Sequence, residues 1–397
     1  MKKTGIASCY FHHNYGSILQ AYATQMALER LGYENETIDI TGFERELKRE
    51  KMKYFIKASL TSDILLTKSG MAKTFIRRKM FKGEYSQNAG LRDKKMDDFI
   101  EKAFHLSPRY DSKKRLSEVC LDRYGAVLAG SDQLWLPVNI AADYYTLNFV
   151  PDSVNSIAYA TSFGRSDLPV SSTRKAAAFL KRIRHIGARE DSGKVLIKEL
   201  TGREVPVVCD PTLLFTGEEW RNFIRDTSVV EEPYILCYFL GSNPGHREFA
   251  VRFRQITGYR IVALIHLDEY VKGDEKYPDE TPYDIDPADF LNLIRHAAYV
   301  CTDSFHGTAF SILYRKECFS FRRYSDQTRQ STNGRLESLF RMTGIRGRLL
   351  SGREDVRECL KTQTDFDKAH ERLSEIRKYS WQFLREALED RDSGWSG

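Results

Sequence analysis

The sequence predicts an α/β protein made of two Rossmann-like domains, each built on a parallel sheet. Two observations carry this prediction. Short apolar runs alternate with segments of helical periodicity along most of the 397 residues, and this alternation is typical of strand–helix–strand units. The alternation also restarts near residue 225, with the strand-like run EEPYILCYFLGSN. We therefore predict an N-terminal domain over residues 1–225 and a C-terminal domain over residues 226–397.

The N-terminal domain should open with a strand–helix–strand unit. The strand is TGIASCY, the helix is SILQAYATQMALERLG with Gly32 at its C-cap position, and the second strand is YENETIDI. The runs RYGAVLAGS at 123–131 and NSIAYATSFG at 155–164 have the pattern of buried parallel strands that end in polar loops. A helix from about Ser172 to Ile186, the helix SGKVLIKELTG and the strand VPVVCDPTLLF should follow.

The C-terminal domain repeats the same alternation. Its predicted strands are YRIVALIH, YVCTDS and ECFSF after the opening run, and its predicted helices are HREFAVRFRQITG, PADFLNLIRHAA and GTAFSILYRK. The stretch from Asp365 to Asp390 also has helical periodicity. We predict that this last helix crosses back to the N-terminal domain.

The composition excludes several classes of protein. At 41% hydrophobic and 29% charged residues the chain is too apolar to be disordered. No stretch approaches the roughly 18 consecutive apolar residues of a transmembrane helix, and the N-terminus lacks the apolar run of a signal peptide. We therefore expect a cytoplasmic protein. The seven cysteines are scattered singly, which favours reduced side chains over disulfides, and no spacing recommends a metal site.

The positive charge is concentrated in a helical excursion of the N-terminal domain, at about residues 44–115. Between Arg45 and Lys82 there are twelve Lys or Arg residues against three Asp or Glu residues, mixed with apolar side chains. Three interpretations stay open: a solvated helical segment, a surface that rests on anionic lipid at the inner leaflet of the cell membrane, or a grip on a diphosphate-bearing acceptor. Nucleic acid is disfavoured because no known binding motif accompanies the charge.

Ligands of open parallel sheets bind at the carboxyl ends of the strands, which directs attention to the loops there. In TDSFHGT, at 302–308, an apolar strand delivers His306 to a loop, and Gly307 allows a close turn into a helix whose N-terminus can face an anion. A histidine at such a place can exchange protons near neutral pH. The alternative is a histidine that caps the helix or fills the core.

Three further side chains are candidates. Arg189 in GARED can bind a carboxylate or phosphate in bidentate geometry, or it can form an ordinary ion pair. Asp132 in GSDQLW and Asp210 in CDPT can bind sugar hydroxyls, act as bases or cap turns.

The loop of Asn14, Tyr15 and Gly16 lacks the dinucleotide fingerprint, which disfavours a nicotinamide cofactor.

The ordered set of motifs resembles the polysaccharide pyruvyl transferase family. The resemblance spans about residues 3 to 320 and rests on NYGSILQAYATQMALERLGYE, GSDQLW, SFGRS, GARED, CDPT and TDSFHGT. It implies two lobes facing across a cleft, similar to GT-B-type glycosyltransferases, with the acceptor on the N-terminal lobe and the donor on the C-terminal lobe. It also implies transfer of pyruvate from phosphoenolpyruvate onto two hydroxyls of a sugar, with no cofactor or metal.

The resemblance also suggests roles for residues of this chain. His306 would be the leading acid or base, with Asp132 as a second catalytic candidate that also faces the acceptor. The remaining implied contacts are with the donor, by Arg189, Ser304, Phe305, Gly307 and Thr308, and with the acceptor, by Asn14, Tyr15, Gly16 and Arg165. The acceptor would be a sugar of an envelope or exopolysaccharide precursor, attached to a lipid.

This sequence departs from the family pattern at one position. The family loop has an arginine two residues before the histidine, where this chain has Ser304. The missing charge would have to come from another arginine, and the candidates are Arg322, Arg323, Arg329 and Arg335. Two other functions remain open: a glycosyltransferase that uses a nucleotide sugar, because the two-lobed fold also hosts that chemistry, and a non-catalytic partner in envelope assembly, which Ser304 favours.

Overall fold

The computed structural model describes residues 2–58, 84–227, 230–231, 233–267, 270–324 and 333–390. Within these ranges all strand pairs are parallel and form two five-stranded sheets. The strands are β1 (Lys3–Ala7), β2 (Asn35–Thr37), β3 (Tyr124–Ala129), β4 (Asn155–Thr161), β5 (His185–Ala188), β6 (Tyr234–Tyr238), β7 (Arg260–Ala263), β8 (Tyr299–Thr302), β9 (Cys318–Phe321) and β10 (Leu349–Leu350).

Helices cover both faces of each sheet. The α-helices of the described ranges are α1 (Tyr15–Arg30), α2 (Glu44–Ala58), α3 (Glu84–Ala103), α4 (Lys113–Arg123), α5 (Pro137–Ala142), α6 (Val170–Arg182), α7 (Asp191–Thr201), α8 (Gly217–Phe223), α9 (Pro244–Thr257), α10 (Pro287–His296), α11 (Phe305–Leu313), α12 (Gly334–Thr343), α13 (Val356–Lys361) and α14 (Phe366–Glu389). Short 3-10 helices lie at Pro211–Leu214 and Lys272–Glu275. Among these residues no helix is long and apolar enough to cross a membrane.

The two sheets have the same topology. The first has the order β2-β1-β3-β4-β5 and the second the order β10-β9-β8-β6-β7, which is the same doubly wound arrangement within each lobe. In such sheets the strand order reverses at one point, here between β1 and β3 and again between β6 and β8, and a crevice opens outside the strand ends. The predicted α/β fold with two Rossmann-like lobes is confirmed, and each lobe offers one crevice.

The central strands explain why the lobes fold in this way. All seven residues of β4 and all five of β6 are buried, as expected for strands that helices cover on both faces. Two elements differ from the sequence prediction. The helix predicted to reach Ile186 ends at Arg182, and the chain then forms β5. The strand predicted at VPVVCDPTLLF is a single bridge at Val207 followed by a 3-10 helix.

The C-terminal helix α14 lies on the first lobe for much of its length. The side-chain amide of Asn155 in β4 donates to the carbonyl of Ala387 at 2.7 Å, and the backbone N–H of Cys209 donates to the hydroxyl of Ser380 at 3.0 Å. The residue that follows the helix, Asp390, forms an ion pair with His185 at 2.9 Å. The helix begins beside α12 of the second lobe, so it ties the two lobes together.

The lobes also meet directly at the start of α1, which packs against α10 and α11. The ring of Tyr15 stacks on that of Phe290, with the centroids 4.6 Å apart and the planes 4° from parallel. The Tyr15 hydroxyl donates to the carbonyl of Ile285 at 3.2 Å. From α3, the guanidinium of Arg92 donates to the carbonyl of Ile265 at 2.9 Å. These contacts set the position of the second lobe against the strand ends of the first.

The basic excursion is described only in part. Its first portion is α2, and its last portion comprises α3 and the start of α4. Residues 59–83, on which much of the predicted positive charge falls, lie outside the described residues. The helix α2 packs along α5 of the first lobe, with Leu47 buried against it and most of its basic side chains exposed.

Candidate active site

A cavity of about 260 Å³ lies between the lobes, where the strand-end crevices of the two sheets face each other. One wall follows β1 and β3, and the other follows β6, β8 and β9. The lining residues are Cys9, His12, Asn14, Ser17, Asp132, Gln133, Leu134, Leu136, Asn139 and Tyr145 of the first lobe, and Leu240, Ser304, Phe305, His306, Arg323 and Arg335 of the second. The strand-end positions singled out from the sequence thus supply much of the site.

The turn into α1 brings the first lobe against the second. Asn14 caps α1, since its side-chain oxygen accepts from the N–H of Ser17 at 3.1 Å, and it also lines the cavity. Gly16 lies so close to the second lobe that a Cβ atom built on it would be 2.1 Å from Nδ1 of His306. Only glycine fits this contact without displacement of the imidazole. Tyr15, in contrast, is used in the packing of the lobes and does not line the cavity.

His306 lies in the first turn of α11 and is 95% buried, with an exposed fraction of 5%. Its Nε2 is 3.6 Å from Oδ2 of Asp210, which comes from the first lobe. The other carboxylate oxygen of Asp210 caps the 3-10 helix, accepting from the N–H of Thr212 at 3.0 Å. Burial acts to raise the pKa of Asp210, but the charge and hydrogen bond of His306, followed by the charge of Arg189, lower it well below its usual value.

Asp132 lines the cavity from the first lobe in an unusual backbone conformation. Its φ is 81°, in the left-handed region that residues other than glycine seldom adopt, and such strained residues cluster at functional sites. Its carboxylate accepts from the hydroxyl of Ser17 at 2.7 Å. Burial acts to raise the pKa of Asp132, but Arg189, His306 and Arg335 lower it to about 2. Asp132 is therefore anionic at neutral pH.

The structure corrects the position predicted for Arg189. This residue follows β5, is 2% exposed and does not line the cavity. Its guanidinium lies beneath the floor, 3.1 Å from Asp210, 3.6 Å from Glu190 and 3.7 Å from Asp132. It also lies over the ring of Phe305, 4.8 Å from the centroid. Carboxylates of the protein thus take the place that a donor anion was expected to occupy. Arg189 contacts two residues that line the cavity, Asp132 and Phe305.

Two other arginines do face the cavity. Arg335, in the first turn of α12, is 8% exposed. Among the described residues, the carboxylate that its guanidinium approaches is that of Asp132, at 4.0 Å. The side-chain amide of Gln133, turned with its oxygen toward the guanidinium, accepts from both terminal nitrogens of Arg335 at 2.5 and 2.7 Å. Burial, followed by the charge of Arg189, lowers the pKa of Arg335 to about 9. A bound anion would relieve this unfavourable environment.

Arg323 supplies the second cation. Its guanidinium donates to the backbone carbonyl of Asp303 at 3.0 Å and lines the cavity with its side chain 16% exposed. Of the other two arginines proposed from the sequence as substitutes for the family arginine, Arg322 pairs with Glu337 at 3.5 Å and does not line the cavity. Arg329 lies outside the described residues.

Several predicted ligand-binding residues have structural roles instead. The hydroxyl of Ser304 caps α11 by accepting from the N–H of Gly307 at 3.3 Å, so that N–H does not face the cavity. Thr308 donates to the carbonyl of Ser304 at 3.0 Å and contacts Ser320, away from the cavity. Arg165 pairs with Asp167 at 2.9 Å and does not line the cavity either. Ser304 and Phe305 do line it.

Some cavity residues were not predicted from the sequence. Ser17 follows the NYG motif directly, so its position beside Asn14 was a usable signal. Gln133 follows Asp132 in GSDQLW and had the same signal. Cys9 and Tyr145 carry no such signal, because their position depends on how the loops after β1 and β3 fold. Among the described residues, no group of three or more His, Cys, Asp and Glu side chains is arranged to hold a metal ion.

This arrangement defines a two-lobed α/β fold with a cavity between the lobes that is lined by two arginines, a histidine and an aspartate. The chain belongs to the polysaccharide pyruvyl transferase family, whose sequence profile matches residues 14–325. The match includes every residue of the cavity except Cys9, His12 and Arg335. A search among curated proteins found no match to the sequence.

Several solved structures are similar to this chain, and one of them has the same overall fold. UDP-N-acetylglucosamine 2-epimerase from Rickettsia bellii superposes with a TM-score of 0.55 at 8% sequence identity, over 98% of this chain and 97% of that chain. UDP-GlcNAc 2-epimerase from Methanocaldococcus jannaschii has a TM-score of 0.48 at 13% identity, over 96% and 100%. MurG from Acinetobacter baumannii has a TM-score of 0.43 at 11% identity, over 97% and 98%. At 8% identity, the similarity to the Rickettsia bellii enzyme shows the fold alone.

Proposed function

We propose that this protein transfers pyruvate from phosphoenolpyruvate onto two hydroxyls of an acceptor sugar in a cell-envelope or exopolysaccharide precursor, forming a cyclic ketal. The observation that carries the proposal is the grouping of Arg323, Arg335 and His306 around one cavity that also contains Asp132. Phosphoenolpyruvate has a phosphate and a carboxylate, and guanidinium groups bind both kinds of oxyanion in bidentate geometry. Membership of the family supports the choice of reaction.

We place the donor on the second lobe, with its anionic groups between Arg323 and Arg335. Arg335 supports this placement because it is a buried cation at the N-terminal turn of a helix, where the helix dipole disfavours positive charge. A dianionic phosphate would offset both the burial and the repulsion from Arg189 that lower its pKa. The two arginines then take over the role of the family arginine that Ser304 replaces.

The proposed chemistry uses His306 as the acid and the carboxylate of Asp132 to accept a hydrogen bond from an attacking hydroxyl. His306 gives a proton to the methylene carbon of the donor, which becomes the methyl group, while the first sugar hydroxyl bonds to the adjacent carbon. The bond from that carbon to the phosphate oxygen breaks, and the second hydroxyl bonds to the same carbon to close the ketal. The two hydroxyl protons balance the reaction: one replaces the proton that His306 gave, and the other leaves with inorganic phosphate.

We place the acceptor on the first lobe, near Asp132. Because the pKa of Asp132 is about 2, its carboxylate is ionised at neutral pH and can accept a hydrogen bond from an attacking hydroxyl. Asn14 and Asn139 line the same side and provide amide groups suited to the remaining hydroxyls. The hydrogen bond from Ser17 keeps the carboxylate of Asp132 oriented.

The test is mass spectrometry of lipid-linked and water-soluble oligosaccharides after incubation with the protein and phosphoenolpyruvate. A pyruvyl ketal on the sugar, with release of one phosphate, is the expected result. Arg335→Gln should lower kcat/KM by about 100-fold or more, the typical effect of removing a group that stabilises developing charge. The matched control is Arg322→Gln, which removes a neighbouring arginine that lies outside the cavity and should leave the rate within about twofold.

Binding measurements on the same protein distinguish the proposal from the two alternative functions. Thermal stabilisation by a nucleotide sugar but not by phosphoenolpyruvate would replace the proposal with a glycosyltransferase, since a ligand that binds only the folded state raises the melting temperature. Failure of every acceptor together with no stabilisation by phosphoenolpyruvate would replace it with the non-catalytic partner. Ketal formation that is equally fast in Arg335→Gln would overturn the donor placement.

A further inference from the structure

The outer face of α2 combines positive charge with exposed apolar side chains. The exposed fractions of Met52 and Ile56 are 59% and 58%, and these residues are one helical turn apart. The basic side chains that are exposed on this helix are Arg45, Lys48, Arg49, Lys53 and Lys57. We call these seven residues the outer face of α2. Isolated exposed apolar residues are common. Two neighbouring ones flanked by several basic side chains form an amphipathic surface.

The acidic residues of the same helix offset only part of this charge. α2 has six basic and three acidic residues, a net charge of +3. Glu46 lies toward Lys113 of the adjoining helix, at 3.5 Å. Glu44 and Glu50 pair with Lys48 and Lys53 at 2.7 and 2.8 Å. Among the described residues, no carboxylate lies within ion-pair distance of Arg45 or Lys57. Arg49 is 3.6 Å from Glu50.

Lys51 lies on the other side of α2, toward the cavity. Burial lowers the pKa of Lys51, and the largest influence that acts in the opposite direction comes from Cys9, which lines the cavity. The pKa of His12, another lining residue, is lowered by burial and then by the charge of Lys51. The helix also packs on α5, which carries the lining residue Asn139. The outer face of α2 therefore flanks the mouth of the cavity.

We propose that the outer face of α2 docks on anionic lipid headgroups, with Met52 and Ile56 entering the interface between headgroups and acyl chains. This inference rests on the proposed function, because a lipid-linked acceptor sugar would then reach a cavity mouth held at the membrane surface. The apolar pair favours a bilayer over a nucleic acid, which would need only the charges. Each basic residue near an anionic leaflet contributes about a fivefold gain in partitioning.

The experiment measures co-sedimentation of the full chain with phosphatidylcholine vesicles that contain or lack phosphatidylglycerol. One variant removes three charges, Arg45→Gln, Arg49→Gln and Lys57→Gln, and another removes the apolar pair, Met52→Ser and Ile56→Ser. The charge control is Lys94→Gln, Lys198→Gln and Lys361→Gln, whose side chains are 70%, 61% and 69% exposed elsewhere. The apolar control is Val170→Ser with Val195→Ser, at residues 89% and 53% exposed.

We expect binding only to vesicles with phosphatidylglycerol, and release at high salt, because screening shortens the reach of each charge. Both outer-face variants should lower the partition coefficient, the charge variant by about tenfold or more, while both controls stay within about twofold of the unaltered protein. Equal binding to neutral vesicles, equal losses in the control variants, or tighter binding to RNA than to vesicles would overturn the proposal.

The outcome is independent of the transfer reaction. The outer-face variants should keep full activity on a water-soluble acceptor, since none of the changed residues lines the cavity. If the unaltered protein forms the ketal but does not bind vesicles, the docking proposal alone is overturned. Vesicle binding that depends on the outer face, without ketal formation, would overturn the proposed function alone. A thermal melt of each variant shows that the fold is kept, and the two outer-face variants test the proposal separately.

Discussion

Gly16 of the first lobe and His306 of the second lie in direct contact, so that a Cβ atom on Gly16 would be 2.1 Å from Nδ1 of His306. This distance is far below any van der Waals contact. The helix that begins the first lobe and the histidine that faces the cavity are therefore positioned by each other, and the lobes cannot meet in this way with a larger residue at position 16.

Gly16→Ala should lower both the activity and the stability of the protein. The added methyl group has to displace the imidazole of His306 or separate the lobes, and overpacking of this kind costs about 1–3 kcal/mol in the free energy of unfolding. We expect kcat to fall by about 100-fold, because a displacement of about 1 Å at a reacting group has that effect. Steady-state kinetics and denaturant unfolding measure the two quantities.

The control for this substitution is Gly90→Ala in α3, where an added Cβ atom meets nothing within 4 Å. That change should leave kcat unaltered and raise stability slightly, because glycine is unfavourable within a helix. A fully active Gly16→Ala protein would contradict the contact between Gly16 and His306.

Arg189→Gln should destabilise the protein and shift its pH dependence. The change leaves the buried carboxylates of Glu190 and Asp210, and the partly exposed one of Asp132, without their shared cation. Breaking a buried ion pair in this way costs about 3–5 kcal/mol. The control Arg165→Gln loses one partly exposed pair with Asp167, which is worth about 0–1 kcal/mol. Equal losses of unfolding free energy in the two variants would contradict the structural role of Arg189.

The sign of the pH effect follows from Asp132. Burial raises its pKa, and Arg189 is the largest of the influences that lower it to about 2. Because the folded pKa lies below the unfolded value, the ionised carboxylate stabilises the protein above the unfolded pKa, and this contribution is lost as pH falls toward 2. Without Arg189 the folded pKa moves back toward the unfolded value, so this contribution shrinks and the pH dependence should shift toward a smaller loss of stability in acid. Melting temperatures measured from pH 3 to pH 7 test this shift.

The fold could be predicted from the sequence more completely than the site. Alternation of buried strands and helices defines both lobes, but β5 was assigned to a helix because Ile186 continues an apolar helical spacing in a strand of four residues. That error also removed the information that Arg189 follows a strand. The convergence of Asp132, Glu190 and Asp210 on one guanidinium depends on three separate loops, and no local pattern records it.

The arginines that line the cavity also could not be identified from the sequence alone. Arg323 and Arg335 were two of four arginines that might have replaced the family arginine, and nothing in the sequence ranks them. What separates them is the packing of α12 against the loop after β3, which brings Arg335 to Gln133, and the backbone contact of Arg323 with Asp303. His306, in contrast, was located by a strand end and a glycine, which are local features.

Restoring the family arginine by Ser304→Arg should not improve donor binding. Ser304 is 3% exposed and caps α11, so its loss removes a cap worth about 1 kcal/mol. The new cation would also add to the repulsion that already lowers the pKa of Arg335 to about 9. We expect a lower melting temperature and a KM for phosphoenolpyruvate that does not fall. Ser304→Ala isolates the loss of the cap, and a KM in Ser304→Arg well below that of the unaltered protein would show that the family arginine position is still competent.

His13 should make stability depend on pH in the opposite direction from Asp132. Its two ring nitrogens lie 2.7 Å from Asp93 and 2.8 Å from Asp97, one turn apart on α3, and so connect the loop before α1 to that helix. The hydrogen bond with Asp93 is the main cause of a pKa raised to about 9. A raised folded pKa stabilises the protein fully below the unfolded value of roughly 6.5, and this contribution is lost as pH rises through about 9.

The measurement compares the melting temperatures of the unaltered protein and His13→Ala from pH 6 to pH 10. The difference between them should be largest near pH 6 and should shrink as His13 loses its proton. In an Asp93→Asn, Asp97→Asn background, which removes both partners, His13→Ala should have a small effect that does not change with pH. A difference that grows toward pH 10, or that persists unchanged in this background, would mean that His13 stabilises the loop through packing and not through its charge.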